Sequence, residues 1–233
     1  MARRFAARRR ISLSDTDAAG RLRLDAAARY LQDVASDDWA DAGFDSSAHV
    51  WVVRRTWIEV HEPFGHDEQV ELATWCSGVA ASAAARRYSL AGDRGGRIEA
   101  ESVWIHLDHD LRPVRLGERF LEVYAASAEG RRASTRLELE APDGLRGDPW
   151  PLRATDVDLH GHVNNAAYWH AVEEHLSRTV DVGRPHRARL EYREPIDPDD
   201  EVELVEVVGN GTLDLAFVTA RGVNAVARVE QIA

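Results

Sequence analysis

The sequence contains an internal repeat, and this repeat limits the folds that the chain can adopt. A shift of 141 residues places SDTDAAGRLR (14–23) on TDVDLHGHVN (155–164), with two aspartates and a glycine in register. A second match, with a shift of 132 residues, places EPFGHDEQVEL (62–72) on EPIDPDDEVEL (194–204). Two matches in the same order indicate a tandem duplication in which each copy repeats one structural plan.

Each copy contains a turn with a glycine, then a helical pattern, then a series of strands. In the first copy, apolar residues recur every three or four positions over 25–42, which predicts an amphipathic helix ending at Gly43. The second copy predicts the corresponding helix over 165–180. Segments rich in Val, Ile, Trp and Tyr predict strands near 8–14, 50–61, 69–76, 80–92 and 97–108, and again near 186–194, 200–208, 212–220 and 223–232. This order predicts an α+β fold with an antiparallel sheet wrapped around each long helix.

Proline and glycine residues are frequent between the two copies. Seven of them lie between residues 110 and 150, which favours a crossover with some helix near 117–126. We therefore divide the chain into an N-terminal unit (1–126), a crossover linker (127–150) and a C-terminal unit (151–233).

The composition excludes several classes of protein. A net charge of −11 argues against general nucleic-acid binding, because the phosphate backbone would be repelled. No apolar run approaches the roughly 20 residues that span a bilayer, and no apolar stretch follows the basic N-terminal residues. The single cysteine, Cys76, cannot form an internal disulfide, in agreement with a reducing compartment. We therefore expect a cytoplasmic protein.

The two copies differ in the residues that could support a reaction. The second copy carries His160, His162 and Asn164 where the first has an alanine and two arginines, which are not usual general bases. Helix capping alone would require the same groups in both copies. The cluster at 156–165 is therefore the candidate site. No third ligand accompanies the histidine pair at a suitable spacing, so we expect neither a metal nor another cofactor.

The motif DVDLHGHVNNAAYWHAVEE in the second copy resembles the active-site segment of the fatty acyl-ACP thioesterases, a plant-type family with bacterial members. The first half is similar to the same family in the order of its segments: DTDAAGRLRLDAAARYLQDVA, WVVRRTWIEV, EPF, TW and a strand ending in WIHLD. The likeness therefore covers nearly the whole chain. It implies a tandem double hot-dog fold, with two long helices side by side, each wrapped by an antiparallel sheet.

The resemblance also implies roles for individual residues. Asp158 and His162 match the catalytic acid and histidine, and Glu194 matches a carboxylate on a later strand. His160 stands where the family usually has asparagine, but an imidazole can still donate a hydrogen bond. Pro195 replaces the cysteine of some plant members, which argues against a cysteine nucleophile.

Thioester hydrolysis requires a base that activates water and donors that stabilise the oxyanion. Either Asp158 or Glu194 could be the base, or a nucleophile that forms an anhydride, and the sequence leaves this choice open. Backbone N–H groups from Gly161 to Val163, at the start of the second helix, are candidate oxyanion donors, with Asn164 beside them as a cap or a substrate contact.

The resemblance assigns the acyl-chain pocket to the N-terminal unit. Candidate lining residues there are Leu31, Val34, Trp51, Val53 and Trp57. The implied partner, acyl carrier protein (ACP), is acidic, so its docking requires a local basic patch. Candidate patches are Arg3, Arg4, Arg8, Arg9 and Arg10, the pair Arg86 and Arg87, and the pair Arg131 and Arg132.

Two alternatives to fatty acyl-ACP hydrolysis remain at this stage. One is hydrolysis of acyl-CoA or of another small acyl thioester, including aromatic or polyketide ones. The other is a hot-dog protein that binds acyl thioesters without hydrolysing them. The sequence does not define the acyl chain length, or whether the chain forms a homodimer through a free sheet edge.

Overall fold

A computed structural model describes residues 2–45, 50–142, 147–179 and 181–232. The N-terminal half contains β1 (Phe5–Arg10), α1 (Leu24–Asp41), β2 (Val50–Glu62), β3 (Gln69–Val79), β4 (Ala83–Gly92), β5 (Arg97–Leu107) and α2 (Glu118–Tyr124). The C-terminal half contains β6 (Asp148–Pro149), α3 (Asn165–Thr179), β7 (His186–Tyr192), β8 (Glu203–Val208), β9 (Thr212–Thr219) and β10 (Gly222–Gln231). The α+β architecture predicted from the duplication is confirmed. Val180, the predicted end of the second helix, lies outside the described residues. None of the helices in these ranges is long and apolar enough to cross a membrane.

The strands form one antiparallel sheet that continues through both halves. Its order is β1-β3-β4-β5-β2-β7-β10-β9-β8-β6, and the pairing of β2 with β7 joins the two halves. The two long helices, α1 and α3, pack against each other. The apolar faces of α1 and α3 share one hydrophobic core with the inward side chains of both halves. The two copies are therefore packed together through a common core.

Residues 136–141 of the crossover linker lie on the face of the sheet opposite to the helices. Buried Glu191 of β7 accepts N–H groups from Glu138 and Leu139 of the linker, at 2.8–3.0 Å. The Leu139 side chain packs there against a small apolar cluster formed by Val205, Ala216 and Val226. A buried carboxylate thus fixes a segment that has no regular secondary structure of its own.

Candidate active site

The turn that precedes α3, residues 154–164, is organised by the carboxylate of Asp158. This carboxylate accepts the backbone N–H of His160 at 2.9 Å and the side-chain amide of Asn164 at 3.3 Å. Asn164 in turn caps α3, because its side-chain oxygen accepts the N–H of Ala166 at 2.8 Å. Gly161 adopts a φ of 81°, a conformation that favours glycine. The turn therefore presents Asp158 at a defined position beside the start of the helix.

A cleft of about 390 Å³ opens beside this turn, and we call it the aromatic cleft. Its apolar wall comes from the N-terminal half and includes Ala35, Trp39, Trp51, Trp104 and Phe120. Its polar edge consists of Asp158, His160, Asn164 and Asn165 from the C-terminal half. An apolar slot with a few polar groups at one end suits a ligand with an apolar body and a polar reacting group.

Two other side chains from strands stand in the wall of the aromatic cleft. Arg86 donates to Asp38 at 2.6 Å, so its charge is paired within the protein. Cys76 is 2% exposed, and burial raises the pKa of its thiol. Cys76 is therefore held as a neutral thiol, not as the thiolate that nucleophilic attack requires.

A second cavity, of about 600 Å³, also borders Asp158, and we call it the polar groove. Its lining includes Arg9, Arg10, Arg29, Tyr30 and His170. Three side chains line both the polar groove and the aromatic cleft: Gln32, Asp158 and Asn164. A charged cavity and an apolar cavity therefore meet at one carboxylate. The sequence analysis named Asp158 and Asn164 as candidate site residues but missed Gln32.

His162 faces the carboxylate of Asp197. Its Nδ1 donates to Asp197 at 2.8 Å, and Arg221 donates to the other oxygen of Asp197 at 2.8 Å. The hydrogen bond from Arg221, reinforced by the one from His162, lowers the pKa of Asp197. Neither His162 nor Asp197 lines the aromatic cleft or the polar groove. This pair ties the turn to the segment after β7. The repeated segment EPIDPDD, which contains Asp197, was the available sequence signal.

Glu194, which the resemblance matches to a catalytic carboxylate, lies away from both cavities. Strand β7 ends at Tyr192, and Glu194 lies in the following loop with an exposed side chain. Glu194 lines neither the aromatic cleft nor the polar groove. A carboxylate that stays in bulk solvent, away from both cavities, is poorly placed to act on a bound thioester.

Three of the four backbone N–H groups from Gly161 to Asn164 already have acceptors within the protein. The N–H of Gly161 is donated to the Asp158 carbonyl at 3.0 Å, and the N–H of Val163 to the Ile196 carbonyl at 2.9 Å. Asn164 donates its N–H to the carbonyl of Asp156 at 2.7 Å. The N–H of Asn165, the first residue of α3, has no acceptor among the described residues, and Asn165 lines the aromatic cleft. Asn165 thus supplies the free amide at the positive end of the helix.

The corresponding turn of the first copy is filled by a side chain from the other half. Glu173 of α3 accepts the N–H of Leu24, the first residue of α1, at 2.9 Å. It also accepts Arg21 at 2.8 Å, and Arg21 bonds Asp17 at 3.0 Å. Burial raises the pKa of Glu173, although both of its donors favour the charged form. In the first copy the helix-start amide is therefore already occupied.

The five candidate pocket residues have different surroundings. Trp51 lines the aromatic cleft, as expected. Leu31 and Val53 line a void of about 20 Å³ that shares Gln32, Trp104 and Asn165 with the aromatic cleft. Val34 is buried in the main core, and Trp57 lies on the opposite face of the sheet. Only Trp51 of the five touches the aromatic cleft.

A β-bulge explains the error for Trp57. Simple alternation along β2 places Trp51, Val53 and Trp57 on one face. The pairing of β2 with β5 shifts between Val53 and Arg55, which reverses the faces beyond that point. Trp57 therefore points away from the helices, and the Arg87 guanidinium lies 4.6 Å from its ring centre.

Comparisons with known proteins give matches in both halves of the chain. The family model of the acyl-ACP thioesterase N-terminal domain matches residues 3–124, and that of the C-terminal domain matches residues 139–217. An uncharacterised protein of Mycobacterium tuberculosis is 34% identical over 226 residues, which cover 96% of this chain and 90% of that protein. Oleoyl-acyl carrier protein thioesterase 1 of Arabidopsis thaliana is 24% identical over 202 residues, which cover 76% of this chain and 56% of that protein.

Solved structures share the fold over nearly their full lengths. An acyl-ACP thioesterase from Bacteroides thetaiotaomicron superposes with a TM-score of 0.83 at 19% identity, covering 97% of each chain. The 12:0-ACP thioesterase from Umbellularia californica superposes with a TM-score of 0.79 at 15% identity, covering 98% of this chain and 97% of that one. The fold is thus that of the hot-dog thioesterases. Because both domain models match in order and together span most of the sequence, the chain belongs to the acyl-ACP thioesterase family.

Proposed function

We propose that the protein hydrolyses fatty acyl-ACP to a free fatty acid and holo-ACP. The observation that carries this proposal is the meeting of the aromatic cleft and the polar groove at Asp158. An acyl thioester has an apolar chain on one side of its carbonyl and a polar phosphopantetheine arm on the other. The two cavities offer matching surroundings for these two parts, and Asp158 stands where the carbonyl would lie.

In this proposal Asp158 is the general base. It removes a proton from a water molecule, the water oxygen bonds to the carbonyl carbon, and the oxyanion accepts the N–H of Asn165. When the intermediate collapses, the carbon–sulfur bond breaks and Asp158 returns its proton to the leaving thiolate. Asp158 is preferred to Glu194 because it lines both cavities, whereas Glu194 is exposed outside them.

The two histidines of the turn take different parts in this proposal. His160 lines the aromatic cleft beside Asp158, where its imidazole can donate to the substrate or to the leaving group. His162 donates to Asp197 outside the two cavities, so it supports the geometry of the turn. His160 should therefore affect the reaction directly, and His162 through the position of Asp158.

The polar groove supports a docking face for the carrier. Arg10 is exposed and forms an ion pair with Asp67 at 3.0 Å, which competing charges can displace at a cost of about 0–1 kcal/mol. Its guanidinium is therefore available to an acidic carrier or to the phosphate of its arm. Arg131, in the alternative basic patch, lines neither cavity.

The test compares carriers and acyl lengths in one assay of product release. The wild type should hydrolyse acyl-ACP at least about tenfold more efficiently than acyl-CoA with the same acyl chain, and Arg10→Glu should reduce this preference. Arg131→Glu is the matched charge reversal and should leave the preference unchanged. Equal or better rates with acyl-CoA would replace the proposal by an acyl-CoA hydrolase. Tight binding of both thioesters without product would indicate a non-enzymatic binder.

A further inference from the structure

One polar side chain at the meeting point of the cavities has no assigned role. Gln32 lies on α1, in the half of the protein opposite to the 154–164 turn, and is half-buried. It lines the aromatic cleft and the polar groove, together with Asp158 and Asn164. Its amide makes no hydrogen bond to another residue within the described ranges. Both polar atoms of this amide are therefore free for a ligand or a water molecule.

The duplication supplies an internal comparison for Gln32. The shift of 141 residues that aligns the two turns places Gln32 on Glu173. Glu173 of α3 reaches into the turn of the first copy, where its carboxylate accepts the N–H of Leu24 and the guanidinium of Arg21. Each long helix thus directs the side chain at this position toward the turn of the other half.

The two copies use this position in opposite ways. In the first copy the carboxylate of Glu173 accepts the N–H of Leu24 at the start of α1, as an oxyanion would. In the second copy the equivalent amide, that of Asn165, has no acceptor within the described part of the chain. The carboxylate of Glu173 therefore occupies, in the first copy, the place equivalent to that of the oxyanion in the proposed reaction. Gln32 approaches the corresponding place in the second copy without filling it.

We propose that Gln32 orients the attacking water for Asp158. Its side-chain oxygen accepts one proton of the water, and Asp158 accepts the other proton as the water oxygen bonds to the carbonyl carbon. Gln32 neither gains nor loses a proton in this step, so the proton balance of hydrolysis is unchanged. This inference rests on the proposed function, because it requires Asp158 to be the base.

The chemistry explains why an amide suits this position and a carboxylate does not. A glutamate at residue 32 would place a second negative charge beside Asp158 and oppose its ionisation. Its carboxylate could also accept the N–H of Asn165, as the carboxylate of Glu173 accepts that of Leu24. Glutamine retains the acceptor oxygen but avoids both effects.

Two substitutions of Gln32 test the inference, with a matched control in the first copy. Gln32→Leu, which keeps the approximate size of the side chain, should lower kcat by roughly 10- to 100-fold, because a misplaced reactant costs about this factor. The KM and the thermal midpoint should stay close to the wild-type values. Gln32→Glu should move the acid limb of the pH profile of kcat/KM to higher pH. Glu173→Gln should leave kcat and the pH profile unchanged.

The kcat values of the Gln32 variants are compared with that of Asp158→Asn on the same acyl thioester. An inactive Asp158→Asn together with a Gln32→Leu variant of wild-type kcat would overturn the role of Gln32 alone. An unshifted acid limb in Gln32→Glu would overturn it as well. A fully active Asp158→Asn variant would overturn the proposed role of Asp158 as the base. It would thereby also overturn the water molecule proposed to bind between Asp158 and Gln32.

Discussion

Replacement of Ala35 by leucine should shorten the acyl chains that the protein accepts. Ala35 lies on α1 and contributes one methyl group to the wall of the aromatic cleft, which also includes Trp51 and Phe120. Leucine adds three carbon atoms to this wall. Within a cleft of about 390 Å³, these atoms occupy space that the distal part of an acyl chain would otherwise fill.

The expected magnitude follows from the apolar contact that the substrate loses. If leucine displaces about three methylene groups at ~0.8 kcal/mol each, the transition state for the longest accepted chain loses about 2.4 kcal/mol. This free energy corresponds to a decrease in kcat/KM of about 60-fold. Chains shorter by three or four carbons do not reach the added atoms, so their kcat/KM should stay near the wild-type value.

The assay is the release of fatty acid from acyl-ACPs of graded length, with kcat/KM measured for each. Ala40→Leu is the matched control, because Ala40 lies on the same helix with an exposed side chain. The control should have the wild-type length profile. An equal decrease for all lengths in Ala35→Leu, or an unchanged profile, would refute the assignment of the aromatic cleft to the acyl chain.

Three further predictions concern stability and the turn. Glu191→Ala should lower the free energy of unfolding in urea by about 1–3 kcal/mol, because the buried N–H of Leu139 and the partly buried N–H of Glu138 lose their acceptor; an unchanged midpoint would contradict this. Burial lowers the pKa of His186, so its contribution to stability is complete above about pH 6.5 and is lost as the pH falls. The thermal midpoint should therefore decrease at acidic pH, and His186→Leu should make this decrease smaller. Gly161→Ala and Gly20→Ala, both at φ near 80°, should each cost about 1–2 kcal/mol, but only Gly161→Ala should lower kcat. Equal kcat values for these two variants would argue against the second turn as the reactive one.

The repeat and the hydrophobic periodicity predicted the architecture because both patterns are local or follow from the duplication. The helices, the antiparallel strands and the asymmetry between the two turns were all visible in the sequence. The geometry of the Asp158 turn follows from short-range bonds, since the carboxylate, the Asn164 cap and the left-handed Gly161 lie within seven residues. Such features depend little on distant packing.

The errors concern features that depend on packing between distant segments. Trp57 was misassigned because a β-bulge reverses the faces of a strand without changing its composition. Asp197 was missed because the position of a loop side chain beyond β7 determines which carboxylate faces His162. Gln32 was missed because its approach to Asp158 depends on how two helices from different halves pack.

The central claim is that Asp158, at the meeting point of the two cavities, is the base. The most direct measurement is kcat of Asp158→Asn on acyl-ACP, alongside its affinity for a non-hydrolysable thioether analogue. Asparagine keeps an oxygen that can accept the N–H of His160, so the turn should persist. We predict that kcat falls by at least about 100-fold with little change in affinity, whereas Glu194→Gln keeps the wild-type kcat. An Asp158→Asn variant with kcat near the wild-type value, or a larger loss in Glu194→Gln, would contradict the claim.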